Sequence, residues 1–160
     1  MNKTLILARH GKAEKVNFGE NDFKRNLTER GNANVLKVSE ELSKILIPQL
    51  IVSSPANRAY QTAQLFAKTF QISKKNIELN EAIYEASMNV LLKVINQLDN
   101  SFDCILMTGH NPAFEYAVDY FTGIQIGDLP TSGAAILNFP FNDWKMISQG
   151  TAELKKIIIP

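Results

Sequence analysis

Both histidines of this chain lie next to residues suited to binding an anion, at the ends of short apolar runs. Arg9, His10 and Gly11 directly follow the apolar run 4–8, and His110 follows a second run. A neutral histidine offers a nucleophilic lone pair, and an arginine can hold a phosphoryl group by paired charge-assisted hydrogen bonds. Glycine permits a sharp turn or a close approach of an anion to the backbone. These residue types indicate anion chemistry, and solvated charges after a strand are the alternative.

Short apolar runs alternate with amphipathic segments along the chain, which is typical of an α/β fold. Strands are predicted at 4–8, 50–52, 77–79 and 103–107, and later helices at 57–70, 90–98 and 113–121. The first helix is predicted to open at 27–31 and to include 33–45, where Val35, Val38, Leu42 and Ile45 form its apolar face. Thr28 is predicted to cap the first helix and Pro48 to end it. A closing strand pair is predicted at 134–139 and 144–148, whereas 152–159 suits either a short helix or an extended tail. We expect a three-layer sandwich whose largely parallel central sheet is covered by helices on both faces.

The predicted strands bring the reactive residues to one place. In a parallel sheet the carboxyl ends of the strands meet at one edge. The first strand delivers Arg9 and His10, and the fourth delivers His110. The segment that follows the second strand leads to Arg58, in the first turn of a helix. Two histidines and two arginines can therefore converge on one phosphoryl group.

These residues occur in three blocks that resemble the signature of the histidine phosphatase superfamily, the phosphoglycerate-mutase-like group. The blocks are Arg9-His10-Gly11, Ser53-Ser54-Pro55 with Arg58-Ala59-x-Gln61-Thr62-Ala63, and Gly109-His110-Asn111. The resemblance extends from about residue 4 to residue 139 and implies the phosphoglycerate-mutase-like fold. The segment Asp22-x-x-Arg25-x-Leu27-Thr28-Glu29-Arg30-Gly31 is most similar to SixA-type phosphohistidine phosphatases.

The resemblance implies a role for each of the four converging residues. His10 would be the nucleophile, Arg9 and Arg58 would bind the phosphoryl oxygens, and His110 would donate a further hydrogen bond to them. Attack would give a phospho-His10 intermediate that water hydrolyses. No metal or other cofactor is expected, because the arginines and the histidine supply the positive charge.

Four further residues are candidates for contacting the phosphate at the border of this site. They are Gly11, Lys12, Asn111 and Ser132. Asn111 suits a cap of the following helix as well. Lys12, Asp22 and Arg25 could line the mouth of the pocket, and each could equally be a solvated loop charge.

The proton donor for the leaving group is the open question. Mutase-like relatives supply a glutamate in a block followed by a glycine and a Glu-Gly pair, and the matching region 79–87 lacks both. Glu81 and Glu85 are candidates, but their spacing of four also suits a solvated helical face. A site without an acid suits a weakly basic leaving group, and imidazole, with a pKa of about 6.5, fits better than an alkoxide. This predicts cleavage of a P–N bond, as in phosphohistidine on a protein. The alternative is that an acid comes from the loop after His10.

The length, net charge and cysteine content of the chain limit its domain count, partners and location. A chain of 160 residues is expected to form a single domain over 1–160. A net charge of +1 argues against nucleic acid and anionic membranes as partners. The single cysteine, Cys104, allows no intramolecular disulfide and favours the cytoplasm, and we expect no signal peptide and no bilayer-spanning run.

We therefore expect a phosphohistidine phosphatase that acts on a phosphorylated protein, such as a phosphotransfer domain. A phosphatase of small phosphorylated metabolites is the nearest alternative. A catalytically silent phosphate-binding module that protects or senses phosphorylated partners is the alternative outside enzyme chemistry.

Overall fold

A computed structural model describes residues 2–160, and its strands and helices alternate as expected. The strands are β1 (Lys3–Arg9), β2 (Leu50–Ser53), β3 (Ile77–Leu79), β4 (Cys104–Gly109), β5 (Ala134–Phe139) and β6 (Glu153–Ile158). The helices are α1 (Glu29–Ser43), α2 (Asn57–Phe70), α3 (Met88–Asn96) and α4 (Ala113–Thr122). The strands form one sheet in the order β3-β2-β4-β1-β5-β6. Strands β1 to β4 pair in parallel, and β5 pairs antiparallel with both β1 and β6.

The sheet lies between two helical layers. Successive residues of β1 contribute to opposite cores, as the alternation of a strand requires. Leu5 and Leu7 pack in the core with α3 and α4. Ile6 and Ala8 pack in the core with α1 and α2. The predicted three-layer α/β sandwich with a largely parallel sheet is confirmed.

The start of α1 is as predicted, but its end is not. The Thr28 hydroxyl accepts a hydrogen bond from the Gly31 backbone N–H at 3.0 Å, so Thr28 caps the helix. The helix ends at Ser43, five positions before Pro48. Proline disfavours helical backbone only in the residue before it. The helix ends earlier, in a turn where the Leu42 carbonyl accepts from the N–H groups of Ile45 and Leu46. Ile45, predicted on the buried face, lies beyond the helix and is exposed.

The closing strand pair is the main correction at the carboxyl end. The predicted strand at 144–148 is wrong, because Trp144–Met146 form a single 3₁₀ turn. The Trp144 side chain is fully buried, and its indole N–H donates to the Phe102 carbonyl at 3.0 Å. The antiparallel partner of β5 is instead β6, so the ambiguous 152–159 segment is an edge strand.

Lys3 is a buried cation at the start of the central strand. Its ammonium donates to the Asn100 and Phe102 carbonyls at 2.9 and 3.0 Å, and to the Asp103 carboxylate at 2.7 Å. These three acceptors use all three protons, so the charge is buried with its hydrogen bonds satisfied. Within residues 2–160, no helix is both long enough and apolar enough to cross a bilayer.

Candidate active site

The central strands deliver the two histidines to neighbouring positions. In the parallel pair of β1 and β4, Arg9 lies opposite Gly109. The residue after each strand is a histidine, and the His10 N–H donates to the Gly109 carbonyl at 3.0 Å. The ring centroids of His10 and His110 are 5.2 Å apart. Strand order therefore brings together two residues that are 100 positions apart in the chain.

The His10 ring is held in one tautomer. Its Nδ1 lies 2.7 Å from the Gly11 carbonyl oxygen. A carbonyl oxygen can only accept, so Nδ1 carries the proton and the lone pair is on Nε2. The side chain is buried, and only 9% of the residue is exposed. The Nε2 lone pair of His10 is therefore free to act on a ligand.

Burial keeps His10 in its neutral form. Desolvation lowers the pKa of His10 most, and the hydrogen bond to Gly11 partly opposes it. The positive charges of Arg58, Arg9 and Arg25 lower the pKa further, to about 4. The lone pair on Nε2 is thus available at neutral pH.

His110 is neutral for the same reasons. Desolvation, followed by the neighbouring His10 and Arg58, lowers the pKa of His110 to about 3. Its Nε2 lies 2.8 Å from the Ser54 hydroxyl oxygen, whereas Nδ1 is buried without a partner in the protein. A hydroxyl that donates to Nε2 leaves the proton on Nδ1, where it can be donated to an anion.

Four buried polar atoms lack a protein partner, and all of them belong to residues predicted to contact phosphate. Within residues 2–160, the buried side-chain nitrogen and oxygen atoms without a hydrogen bond are Arg9 Nε, Arg58 Nε, His110 Nδ1 and Ser132 Oγ. An unsatisfied buried polar group costs about 1–3 kcal/mol, so four in one place require an explanation. An oxyanion would accept a hydrogen bond from each. We call these four groups together with His10 the anion site.

The turn before β5 completes the anion site. Ser132 has left-handed backbone, with φ of 67°, and is buried. Its N–H donates to the His10 carbonyl at 3.0 Å, and the Arg9 N–H donates to the Gly133 carbonyl at 2.9 Å. These bonds place the Ser132 hydroxyl beside the end of β1.

The other phosphate-contact candidates have structural partners. The Gly11 N–H donates to the Thr62 hydroxyl at 3.0 Å, and an added Cβ would lie 2.8 Å from the Val35 side chain. Close packing against α1, rather than approach of an anion, therefore requires this glycine. The Lys12 side chain is exposed, and its carbonyl accepts from the Thr28 N–H.

Asn111 is also engaged within the protein. Its amide donates to the Leu129 carbonyl at 2.8 Å and to the Glu115 carboxylate at 3.1 Å. Its side-chain oxygen accepts from the Glu115 backbone N–H at 3.3 Å, in the first turn of α4. Asn111 thus acts as a helix cap, the alternative raised by the sequence.

A pocket of about 250 Å³ opens beside the anion site and shares two residues with it. We call it the side pocket, and it is lined by Asp22, Arg58, Ile83, Tyr84, Glu85, Ala86, His110, Asn111, Pro112 and Ala113. Glu85 lines the side pocket, whereas Glu81 lies in an exposed 3₁₀ turn outside it. The helical-face interpretation of these two glutamates is wrong, because Glu85 has a left-handed φ of 54°.

Asp22 is an acidic residue that accepts hydrogen bonds from Arg58 of the anion site and from its neighbours. Its carboxylate accepts from Arg58 at 3.1 Å, from Arg25 at 3.0 Å and from the Tyr84 hydroxyl at 2.8 Å. Partial burial raises the pKa of Asp22, but hydrogen bonds from Tyr84 and Arg25 and the charge of Arg58 outweigh it and lower the pKa to about 2. Asp22 is therefore an anion at neutral pH.

Sequence reasoning left three residues of this neighbourhood without a role. Ser54 lies within a recognised block, but only the fold shows that its hydroxyl faces His110. Tyr84 and Leu129 come from loops far from the blocks, and the Leu129 carbonyl accepts from Arg9 at 3.0 Å. No local pattern marks a tyrosine or a backbone carbonyl in this way.

A larger cavity of about 560 Å³ lies between α1 and α2. It is lined by Leu27, Asn32, Gln61, Gln64, Leu65, Ala67, Lys68, Ile72 and Lys74. It contains neither histidine and neither arginine of the anion site. Within residues 2–160 there is also no group of three histidine, cysteine or carboxylate side chains arranged to hold a metal ion.

Comparison with known proteins gives a family match for the part of the chain that carries the first two blocks. A model of the histidine phosphatase superfamily (branch 1) matches residues 5–93, more than half of the chain. An uncharacterised chloroplastic protein of Arabidopsis thaliana is 29% identical over 154 residues, which cover 91% of this chain and 70% of that protein.

Solved structures match over nearly the whole length. A candidate phosphohistidine phosphatase SixA from Agrobacterium tumefaciens is 26% identical, with a TM-score of 0.84 over 100% of this chain and 99% of its own. The protein histidine phosphatase SixA in complex with tungstate has a TM-score of 0.80 at 20% identity, over 98% of this chain and 96% of its own. At 20% identity, the similarity to the tungstate complex shows a shared fold.

Proposed function

The chain belongs to the histidine phosphatase superfamily, and we propose that it hydrolyses phosphohistidine on a protein through a phosphorylated His10. The observation that carries this proposal is the anion site. Four buried, unpaired polar groups of Arg9, Arg58, His110 and Ser132 lie around a neutral histidine. They supply hydrogen bonds for a phosphoryl group next to a nucleophile.

The geometry supports a two-step displacement. His10 Nε2 attacks phosphorus, while the Nδ1–H remains bonded to the Gly11 carbonyl. Charge that spreads over the phosphoryl oxygens is stabilised by the two arginines and by His110. The leaving group departs, and water then attacks the phospho-His10 intermediate.

The absence of a suitable proton donor among the described residues supports phosphohistidine as the substrate. Asp22 is ionised at neutral pH and has no proton to give. Glu81 lies outside the side pocket, and Glu85 lies at its exposed edge. An alkoxide needs a proton as it leaves, whereas an imidazole that departs neutral does not. Similarity to proteins described as phosphohistidine phosphatases favours the same substrate class.

We infer that residues 1–160 form one histidine phosphatase domain, and the single sheet covered by two helical layers in residues 2–160 supports this. The phosphorylated partner is a protein, such as a phosphotransfer domain, whose phosphohistidine reaches the side pocket from solvent. The cytoplasmic location is a prediction from the single cysteine.

The decisive experiment compares leaving groups on the purified protein. We expect kcat/KM for a phosphohistidine protein to exceed that for a phosphoserine peptide by about 100-fold or more, the contribution of a general acid. A radiolabelled phosphoenzyme that is labile in acid and stable in base should form, and His10→Ala should abolish it.

Other outcomes would identify the alternatives. Equal turnover of sugar phosphates and phosphohistidine would contradict the argument from the missing acid and would indicate a metabolite phosphatase. Tight phosphate binding without turnover or phosphoenzyme would indicate a silent binding module.

A further inference from the structure

The carboxylate of Asp22 is a negative charge beside a site built for a negatively charged group. It takes hydrogen bonds from both Arg58 and Arg25, and it lines the side pocket next to His110. An acid in this position weakens the attraction of the arginines for phosphate. The position of Asp22 therefore requires an explanation other than phosphate binding.

We propose that Asp22 accepts a hydrogen bond from the substrate imidazole and thereby selects phosphohistidine over phosphate esters. This inference rests on the proposed function and names the residue that gives it specificity. The side pocket shares Arg58 and His110 with the anion site, so a substrate whose phosphoryl group is bound there extends into the side pocket.

The Asp22 carboxylate has the capacity to accept this bond. A carboxylate offers about four acceptor positions. Three are used, by Arg25 on one oxygen and by Arg58 and Tyr84 on the other. The fourth position is therefore on the oxygen bonded only to Arg25, and the side chain as a whole is 43% exposed.

The chemistry of the substrate explains why such an acceptor matters. In phosphohistidine, one ring nitrogen carries the phosphoryl group and the other can carry a proton. His10 Nε2 donates its lone pair to phosphorus, and the electron pair of the old P–N bond goes to the departing ring nitrogen. When the other nitrogen is protonated, the ring leaves as neutral imidazole. When it is not, the ring leaves as an imidazolate, which is a far stronger base.

A negative charge next to the distal ring nitrogen favours the protonated ring. Asp22 supplies this charge, whereas a phosphoserine or a sugar phosphate has no second nitrogen to donate to it. For these esters Asp22 offers only repulsion toward the phosphate dianion. The same residue thus promotes cleavage of the P–N bond and disfavours the ester substrates.

A hydrogen-bond acceptor at the distal ring nitrogen also serves the phospho-His10 intermediate. After transfer, phospho-His10 retains the Nδ1–H that donates to the Gly11 carbonyl. The ring is then a phosphorylated imidazolium, and when water attacks phosphorus it leaves as neutral imidazole. Asp22 and the Gly11 carbonyl are therefore equivalent acceptors on the two sides of the transferred phosphoryl group.

The test compares two substrates in variants of matched size. Asp22→Asn removes the charge and keeps an acceptor for Tyr84 and Arg58. We expect it to lower kcat/KM for a phosphohistidine peptide at least about tenfold more than for an aryl phosphate, the loss of one charged hydrogen bond. Glu14→Gln, on the same loop but outside the side pocket, should leave the ratio of the two rates unchanged.

Two results would overturn the inference. A parallel loss for both substrates in Asp22→Asn would mean that Asp22 only positions Arg58, and a change of ratio in Glu85→Gln instead would assign the role to Glu85. Tyr84→Phe provides a second variant that keeps the carboxylate and frees an acceptor position, so the preference for phosphohistidine should persist.

Failure of the inference is distinguishable from failure of the proposed function. A wild-type protein that does not hydrolyse phosphohistidine contradicts the function itself. A wild-type protein that does so, while Asp22→Asn retains the same substrate ratio, contradicts only the role of Asp22.

Discussion

The reactivity of the two histidines depends on which ring nitrogen carries the proton. The Gly11 carbonyl directs the lone pair of His10 to Nε2. For His110, the Ser54 hydroxyl faces Nε2 and the buried Nδ1 has no protein partner, so a hydroxyl that donates to Nε2 leaves the proton on Nδ1. Hydrogen-bond partners outside the reacting set therefore decide the tautomers on which the proposed mechanism depends.

Removal of the Ser54 hydroxyl tests this tautomer assignment. We expect Ser54→Ala to lower kcat about tenfold with little change in KM, because His110 loses the partner that keeps a proton on Nδ1. Steady-state kinetics on one substrate measures both constants. Ser53→Ala is the matched control, since the Ser53 hydroxyl is buried alongside and donates only to the Ser54 carbonyl. Equal losses in the two variants would attribute the effect to loosened packing.

The elements of the fold position His10, the proposed nucleophile, by close packing. The first turn of α1 lies against the Lys12 carbonyl, which accepts from the Thr28 N–H at 2.9 Å. A Cβ on Gly31 would lie 2.2 Å from that carbonyl oxygen. Only glycine allows α1 to approach the loop that carries Gly11 and His10.

Gly31→Ala is therefore expected to separate α1 from the loop that carries His10 and Gly11. The free energy of unfolding should fall by about 1–3 kcal/mol, the usual cost of overpacking, and turnover should fall with it. Urea denaturation and kinetics on the same preparation measure the two effects. Lys37→Ala, at an exposed position of α1, should change neither. Unchanged stability in Gly31→Ala would show that the helix shifts freely and does not hold the loop.

For the whole molecule, two buried neutral histidines make stability depend on pH. The pKa values of His10 and His110 are lowered to about 4 and about 3, whereas the unfolded chain titrates near 6.5. As the pH falls below 6.5, the unfolded state binds protons first, so folding is disfavoured. The stability due to the neutral histidines is present above pH 6.5 and is lost toward pH 4.

The expected loss is up to about 1.4 kcal/mol per pH unit for each histidine. Urea denaturation at a series of pH values from 7.5 to 4.5 would measure it. The slope should be smaller in His10→Gln and His110→Gln. Asp22 is a minor contributor in this range, because its lowered pKa affects stability mainly below its ordinary value of 3.8. A flat profile in the wild-type protein would contradict the burial of neutral imidazoles.

The sequence alone determined the family and the order of strands and helices as far as β5. Hydrophobic periodicity is a local property, so helix α2 and strand β3 were predicted with the bounds that the structure has. Convergence of Arg9, His10 and His110 also followed, because parallel strands end at one edge of a sheet. The prediction of the strand that pairs with β5 was wrong, because strand pairing depends on contacts between segments that are distant in the sequence.

Only the tertiary structure decided which polar groups are satisfied and which are left open. Lys3 is bonded to groups about 100 residues away, and Asp22 is bonded to Tyr84, 62 residues away. Such bonds depend on how loops pack once the sheet has formed, and no spacing in the sequence encodes them. For the same reason, the unpaired groups of Arg9, Arg58, His110 and Ser132 could not be identified from residue types alone. A polar group can be identified as unpaired only when all of its neighbours in space are known.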